Sequence, residues 1–248
     1  IDSGWDVKEM LKLMVSSASY KQNSKADNKL LEMDPENLLL ARGPVKRQSA
    51  EMLRDNALTA SGLLVRKVGG KSVYPYQPEG LWSLSSGTYT QGTGLDLYRR
   101  SLYTVWKRTA PPPTMKNFDV PNRSYCVVKR QHTASPLQAL SLMNDPQFVE
   151  AARVLAEQVM LTRKGLNERL EIAYRLLTSR VPNEKEMDVL RSLLAELTAS
   201  FIQKPENSDA LLSVGESGYD EDLPKPILAA YTMVVSMIMN HDAAVVLR

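Results

Sequence analysis

The chain has 248 residues, 43% of them apolar and 24% charged, a balance that excludes disorder of the whole polypeptide and fits an ordinary globular protein. Its formal net charge of +3 is too small to imply a nucleic-acid or membrane partner on its own. The single cysteine, Cys126, excludes an internal disulfide framework and any zinc site built on paired cysteines. No run of about 18 apolar residues is present to span a bilayer, and no charged-then-apolar leader opens the chain.

In chain order, Trp5 to Ser17 places Trp5, Val7, Met10, Leu11 and Met14 at helical spacing opposite Lys8, Glu9 and Lys12, which predicts an amphipathic helix. Lys21 to Lys29 is polar and reads as a loop. Asp34 followed by Pro35 reads as an N-cap with proline at the first helical position, opening a short helix through Leu38 to Leu40. Gln48 to Leu64 is helical in period and runs out before the turn signal Gly69-Gly70. Glycine, proline and serine then punctuate the chain to Gly94 too often for a long helix. Leu102 to Trp106 and Tyr125 to Val128 are rich in strand formers and frame the Pro111-Pro112-Pro113 stretch, so a small hairpin is expected between them.

From Ser135 the helix signals sharpen. Ser135 and Gln138 form a capping box, Asp145 and Pro146 open a second helix, Leu166 to Ser179 is a third, and Asn183 with Glu186 caps a fourth. Gln203 to Asp222 loses periodicity and reads as an exposed loop. Pro226 to Asn240 is apolar nearly all round and is expected to be buried. The fold expected is therefore mainly α: a bundle-like helical body over 1–68 and 131–248, with an irregular basic segment over 69–130.

That segment holds the most pointed chemistry. Arg99, Arg100, Lys107, Arg108, Lys116, Arg123, Lys129 and Arg130 face a single acid, Asp119, an excess larger than the charge of the whole chain, so the remainder is net negative. Arginine offers a planar fork of donors for carboxylate, sulfate or phosphate. With aromatic residues interleaved, Arg99, Arg100, Tyr103, Lys107, Arg108, Arg123, Lys129 and Arg130 are the candidate residues for an anionic ligand, an acidic glycan among them. The competing reading is architectural: the same arginines pair with the acidic helices after Asp145 and hold the irregular middle to the body.

Other groups carry less. His132 and His241 are far apart in sequence and lack metal-ligand spacing, so no metal is expected. Cys126 sits in an apolar run and reads as a small buried hydrophobe. Asp145 and Glu150 read as a cap and a helix-dipole charge, and with Asp119 they are the acids nearest the basic run. Gly87, Gly92 and Gly94 lack the flanking strand and helix of a phosphate loop. Met10, Met14, Met52, Met143, Met233, Met237 and Met239 fall mainly on apolar helical faces and read as core.

The run YRRSLYTVWKRTAPPPTMKNFDVPNRSYCVVKRQHTASPLQALSLMNDPQFVEAAR resembles the C-terminal domain of unknown function that accompanies planctomycete-type c-type cytochrome modules in large secreted bacterial proteins. GWDVKEMLKLMVSSASYKQNS, DPENLLLARGPVKRQSAEMLRDNALTASGLL, VGGKSVYPYQPEGLW and MVVSMIMN are similar to the same family, so the likeness spans nearly the whole chain. The family's pattern normally begins upstream of the equivalent of Ile1, so this chain is expected to be one domain, 1–248, lacking its N-terminal part.

Ala134 and Ser135 replace the family's usual Asn-Thr, and His132 stands where histidine is unusual. The resemblance implies an extracytoplasmic setting, partners in the remainder of the same polypeptide, and haem in another part of that polypeptide only, since no Cys-x-x-Cys-His occurs here. It transfers no catalytic residue. The function expected is a non-catalytic interaction or ligand-binding module, without cofactor of its own. The alternatives are a part of an enzyme site completed upstream, redox or polysaccharide-related, and a purely structural assembly domain.

Overall fold

The computed structural model describes residues 1–83 and 87–247. It is mainly α-helical, and the chain divides into two compact units: Ile1–Gln48 joined by the C-terminal Val246–Leu247, and Ser49–Val245.

In the first unit, α1 (Val7–Ser16) begins at Asp6, whose carboxylate accepts from the amides of Lys8 and Glu9 at 2.9 and 3.1 Å. Its apolar residues all remain exposed. Helix α2 (Asn28–Met33) is capped by Asp27 and closes at Asp34. Asp34 thus ends a helix instead of opening one: its carboxylate accepts from Leu38 and Leu39 N–H at 2.7 and 2.8 Å, which folds 34–40 into turns in place of the expected helix. Arg42 donates to the carbonyls of Asp34 and Pro35 and fixes the same turn. Gly43 is required where it stands, because a Cβ would lie 2.5 Å from the carbonyl oxygen of Gln22. Strands β1 (Lys46–Arg47) and β2 (Val246–Leu247) then pair antiparallel, Lys46 opposite Leu247.

The second unit contains α3 (Ala50–Ala60), α4 (Pro113–Asn117), α5 (Pro136–Asn144), α6 (Pro146–Thr162), α7 (Leu166–Thr178), α8 (Glu184–Gln203), α9 (Pro205–Leu212), α10 (Lys225–Met239) and α11 (Asp242–Val245). Helices α6 and α10 form its centre. Ala151, Ala152, Leu155 and Ala156 of α6, and Leu228, Ala229, Ala230, Val234 and Val235 of α10, are fully buried, and small residues on both helices let the backbones approach closely. The capping boxes at Ser135/Gln138 and Asn183/Glu186 form as expected. His241 has a helix-end role: its Nδ1 accepts from the Ala243 amide at the start of α11.

Three further sequence expectations are corrected. The central hairpin does not form. Tyr103 C=O accepts from Val73 N–H at 2.8 Å and Val105 N–H donates to Val73 C=O at 2.9 Å, so this stretch spends its strand-like hydrogen bonds on Val73, while Tyr125 to Val128 lie exposed and unpaired. Part of the loop expected at 203–222 is helix α9, opened by Pro205 at its first position. Met10, Met14, Met52 and Met237 are all more than 40% exposed, so helical periodicity overstated the methionine core.

Arg54 makes the densest tie between the irregular middle and the helices. Arg54 of α3 is almost fully buried; its Nη2 donates to Leu97 C=O at 2.8 Å, its Nη1 to Arg99 C=O at 2.7 Å and Ser101 Oγ at 3.2 Å, and its Nε to Gln147 Oε1 of α6. Asp55 completes the corner by accepting from the Ser101 amide and hydroxyl. Desolvation pushes the Arg54 guanidinium down to about 10, against the pull of Asp55 and Asp145. Arg54→Lys keeps a charge but loses the fork that serves two carbonyls, and should lower unfolding free energy by roughly 3 kcal/mol in urea melts.

Glu186 accepts from Arg180, Tyr174 and the Asn183 amide, and the Arg180 guanidinium in particular holds its carboxyl down at about 2 against an ordinary 4.5. Its stabilisation is complete above the unfolded value and is lost as pH falls through about 2. Between pH 5 and 2.5 the parent chain should therefore lose more stability than Glu186→Gln, measured by urea unfolding at each pH.

Candidate functional site

The structure divides the eight residues of the candidate anion-binding set. Arg99 is 4% exposed and is engaged internally: its guanidinium donates to the carbonyls of Lys67, Gly69 and Lys71 and lies 3.8 Å over the Tyr103 ring. Tyr103 accepts from Gly69 N–H at 2.8 Å, so both residues brace the glycine turn that separates α3 from the middle. Arg130 makes a two-pronged pair with Glu51 at 2.8 and 3.0 Å. Burial pushes the Glu51 carboxyl up, but the Arg130 hydrogen bonds and charge outweigh it and hold the group below its ordinary value.

The rest face outward. Arg100, Arg108, Arg123 and Lys129 are exposed, and among the described residues none has a carboxylate within ion-pair distance. Two cations rest on indole faces: Arg123 lies 4.6 Å from the Trp106 ring centroid and Lys107 4.3 Å from that of Trp82. Trp82 belongs to an edge-to-face cluster with Tyr74 and Tyr89, centroids 5.2 to 6.3 Å apart, which gives the platform a fixed base. Arg123 and Lys129 belong to residues 122–134, every one of which is exposed. Cys126 lies there too, exposed instead of buried, because the strand that would have packed it does not form.

A cleft of about 410 Å³ opens where α4, α5 and the start of α6 meet the chain around Tyr76. Asp145 stands at this junction, ending α5 through its amide to Ser141 C=O at 3.0 Å and capping α6 through its carboxylate to the Gln147 amide at 3.0 Å. The Thr114 hydroxyl donates to the other carboxylate oxygen. Burial pushes the Asp145 carboxyl up, against the donors Thr114 and Gln147 and the charge of Arg54. Beneath it a cavity of about 30 Å³ reaches Arg54 and Gln147.

Behind the cleft lies a buried polar network that periodicity alone does not disclose. Glu150 is wholly buried and accepts at one oxygen from the Tyr98 hydroxyl at 2.8 Å and the Ser217 amide at 2.7 Å; its other oxygen has no hydrogen-bond partner. Arg153, also wholly buried, donates to the carbonyls of Ser217 and Gly218, with Nη2 4.0 Å from Glu150. The Glu216 amide donates to the Tyr76 hydroxyl, while Glu216 itself accepts from Gly94 N–H at 2.9 Å. Desolvation, then the charge of Glu150, pushes the Tyr76 phenol up to about 12. The segment expected to be a free loop is thus latched at 215–218 to α6 and to the glycine-rich middle. The signal available in sequence was Glu150 and Arg153 standing among Val149, Ala151, Ala152 and Leu155, charges on a helix otherwise apolar enough to be internal.

These arrangements differ in what they can do. The carboxylate of Glu150 is sequestered and structural, Asp145 is shared between two helix ends, and Arg123, exposed on the face of Trp106, is placed to meet a solute. Among the described residues no group of three or more histidines, cysteines or acids is placed to hold a metal ion, and no helix is long and apolar enough to cross a membrane.

The family model described as PSD1, a protein of unknown function (DUF1553), matches residues 1–194. No curated protein and no solved structure matches the chain.

At Gly215 the backbone sits at φ +92°, and a Cβ would lie 2.4 Å from the Glu150 carboxyl carbon. Gly215→Ala should lower stability by roughly 1–3 kcal/mol, whereas Gly218→Ala, which meets open space, should be nearly neutral; thermal unfolding of the two variants decides it.

Proposed function

The chain belongs to the PSD1 family of proteins of unknown function (DUF1553), and from that premise we propose that it is a non-catalytic module that reads anionic ligands, acidic glycans in particular. One observation carries this reading: Arg100, Arg108, Arg123 and Lys129 are exposed without carboxylate partners among the described residues, and Arg123 is seated on the Trp106 ring. A guanidinium held over an indole loses less freedom on binding than a free one and keeps N–H donors for sulfate or carboxylate. A cation whose role is architectural is normally consumed internally, as Arg99 and Arg130 are here.

The proposal extends to the setting. The module serves an exported polypeptide whose c-type cytochrome portion lies outside these residues; support for this comes from the resemblance of the segment Tyr98 to Arg153. Its haem would belong to that portion, and the only cysteine here, Cys126, offers no pair for covalent attachment.

A second reading, in which the domain completes an enzyme site with another part of the polypeptide, draws support from one feature only: the Asp145 carboxyl, pushed up by burial at the edge of a cleft. The engagement of that carboxyl with the Gln147 amide and the Thr114 hydroxyl weighs against it, since a group that must shuttle protons would unsettle the start of α6.

Binding of the chain to polygalacturonate and to heparin, followed by affinity electrophoresis or calorimetry, should weaken steeply with added salt. Replacing Arg100, Arg108 and Arg123 together with serine should reduce affinity at least about tenfold, roughly 1.4 kcal/mol, with the melting temperature unchanged. Retained affinity in that variant, or binding indifferent to salt, would overturn the reading.

A further inference from the structure

The cleft beside Asp145 differs in character from the basic surface. Among the described residues that line it there is no lysine, arginine or histidine, and the ionisable groups are Asp145 and Tyr76 alone. Its polar lining is instead amide. Gln77 is the clearest: its side-chain nitrogen is buried and has no hydrogen-bond partner. Native proteins seldom leave such a donor unpaired, because losing water without a replacement costs about 1–3 kcal/mol.

Two further amides present acceptors. Asn117 donates its nitrogen to Ser141 Oγ at 3.0 Å and Asn144 donates its nitrogen to Leu140 C=O at 2.9 Å. Each bond fixes the plane of the amide and leaves the side-chain carbonyl oxygen without a donor among the described residues. The Asp145 carboxylate has lone pairs beyond those met by Thr114 and Gln147. Apolar surface completes the lining, from Pro78, Pro113 and Pro146 and from Leu137 and Leu140, each of these leucines more than half exposed.

We propose that this cleft is a binding site for a neutral, hydroxyl-rich ligand of one or two sugar rings. A hydroxyl donates and accepts at once, so one ligand can serve the carbonyl oxygens of Asn117 and Asn144 and, once the Gln77 side chain turns its covered amide toward the cleft, the Gln77 N–H as well. The C–H faces of a pyranose are apolar and suit flat proline and leucine surfaces. An anionic sugar is disfavoured because the Asp145 carboxylate lines the cleft while no cationic side chain does, Arg54 being buried behind it. At about 410 Å³ the space lies within the usual range for small-ligand sites. Helices α4, α5 and α6 fix most of the lining before any ligand arrives, since Asp145 ends one helix and starts the next.

The experiment is calorimetry and proton–nitrogen NMR of the full chain titrated with cellotriose, xylotriose, laminaritriose and N,N′-diacetylchitobiose. At least one should bind with a dissociation constant of about 1 mM or below, with no change between about 50 and 500 mM salt. Gln77→Leu and Asn144→Leu should each weaken it about tenfold or more at unchanged melting temperature, while replacing Arg100, Arg108 and Arg123 should leave it intact. If none of the four binds up to about 20 mM, if binding survives both cleft variants, or if only peptides bind there, the proposal is overturned.

Discussion

Arg54 is the constraint on which the second unit depends. The chain between α3 and α4 is too rich in glycine and proline to hydrogen-bond itself into a helix or a sheet, so its carbonyls must find donors elsewhere. Arg54 supplies several from one side chain, serving Leu97, Arg99 and Ser101 from α3 and reaching Gln147 on α6. The desolvation of a guanidinium is partly offset because its donors are used and because Asp55 and Asp145 stand nearby. With residues 97–101 fixed, Tyr98 is placed for Glu150 and Arg99 for the glycine turn. The irregular segment is thus ordered by arginines acting as carbonyl collectors, a role different from the ion pairing with acidic helices that composition suggested.

The same logic sorts the surface. An arginine that collects backbone carbonyls, as Arg54, Arg99 and Arg153 do, is spent on architecture. One that pairs with a carboxylate at the rim, as Arg130 does with Glu51, contributes modestly. Among the described residues, Arg100, Arg108, Arg123 and Lys129 do neither. Arg123 and Lys129 flank the run that failed to become a strand and lie exposed with it, while Arg100 and Arg108 flank the stretch that pairs with Val73. The cleft is a separate product of the fold, made where two helix ends share Asp145 and where amides, not cations, form the polar lining.

The latch at 215–218 shows how a weakly patterned segment becomes ordered. Two internal charges, Glu150 and Arg153, need partners once α6 is buried against α10, and the backbone of the passing loop provides them. Gly215 is there because the loop must approach a carboxyl group more closely than any Cβ permits.

Local sequence was sufficient for what local physics controls. Capping boxes at Ser135 and Asn183, the Asp145-Pro146 start and the all-round apolar α10 each follow from hydrogen bonds or burial within a few residues, so helix identities and most boundaries were legible. Composition also disclosed that 99–130 is basic and aromatic. Tertiary structure decided the rest, because it turned on partners far apart in the chain. Val73 took the hydrogen bonds that a hairpin needed, Asp34 could serve either end of a helix and closed one, and Cys126 lost its cover with the strand. Which arginines are consumed and which are free, and that Gln77, Asn117 and Asn144 share one cleft, follow only from where backbone carbonyls and helix ends come to rest. No periodicity encodes that placement, since a carbonyl's need for a donor is the same in every sequence and its supplier is set by packing.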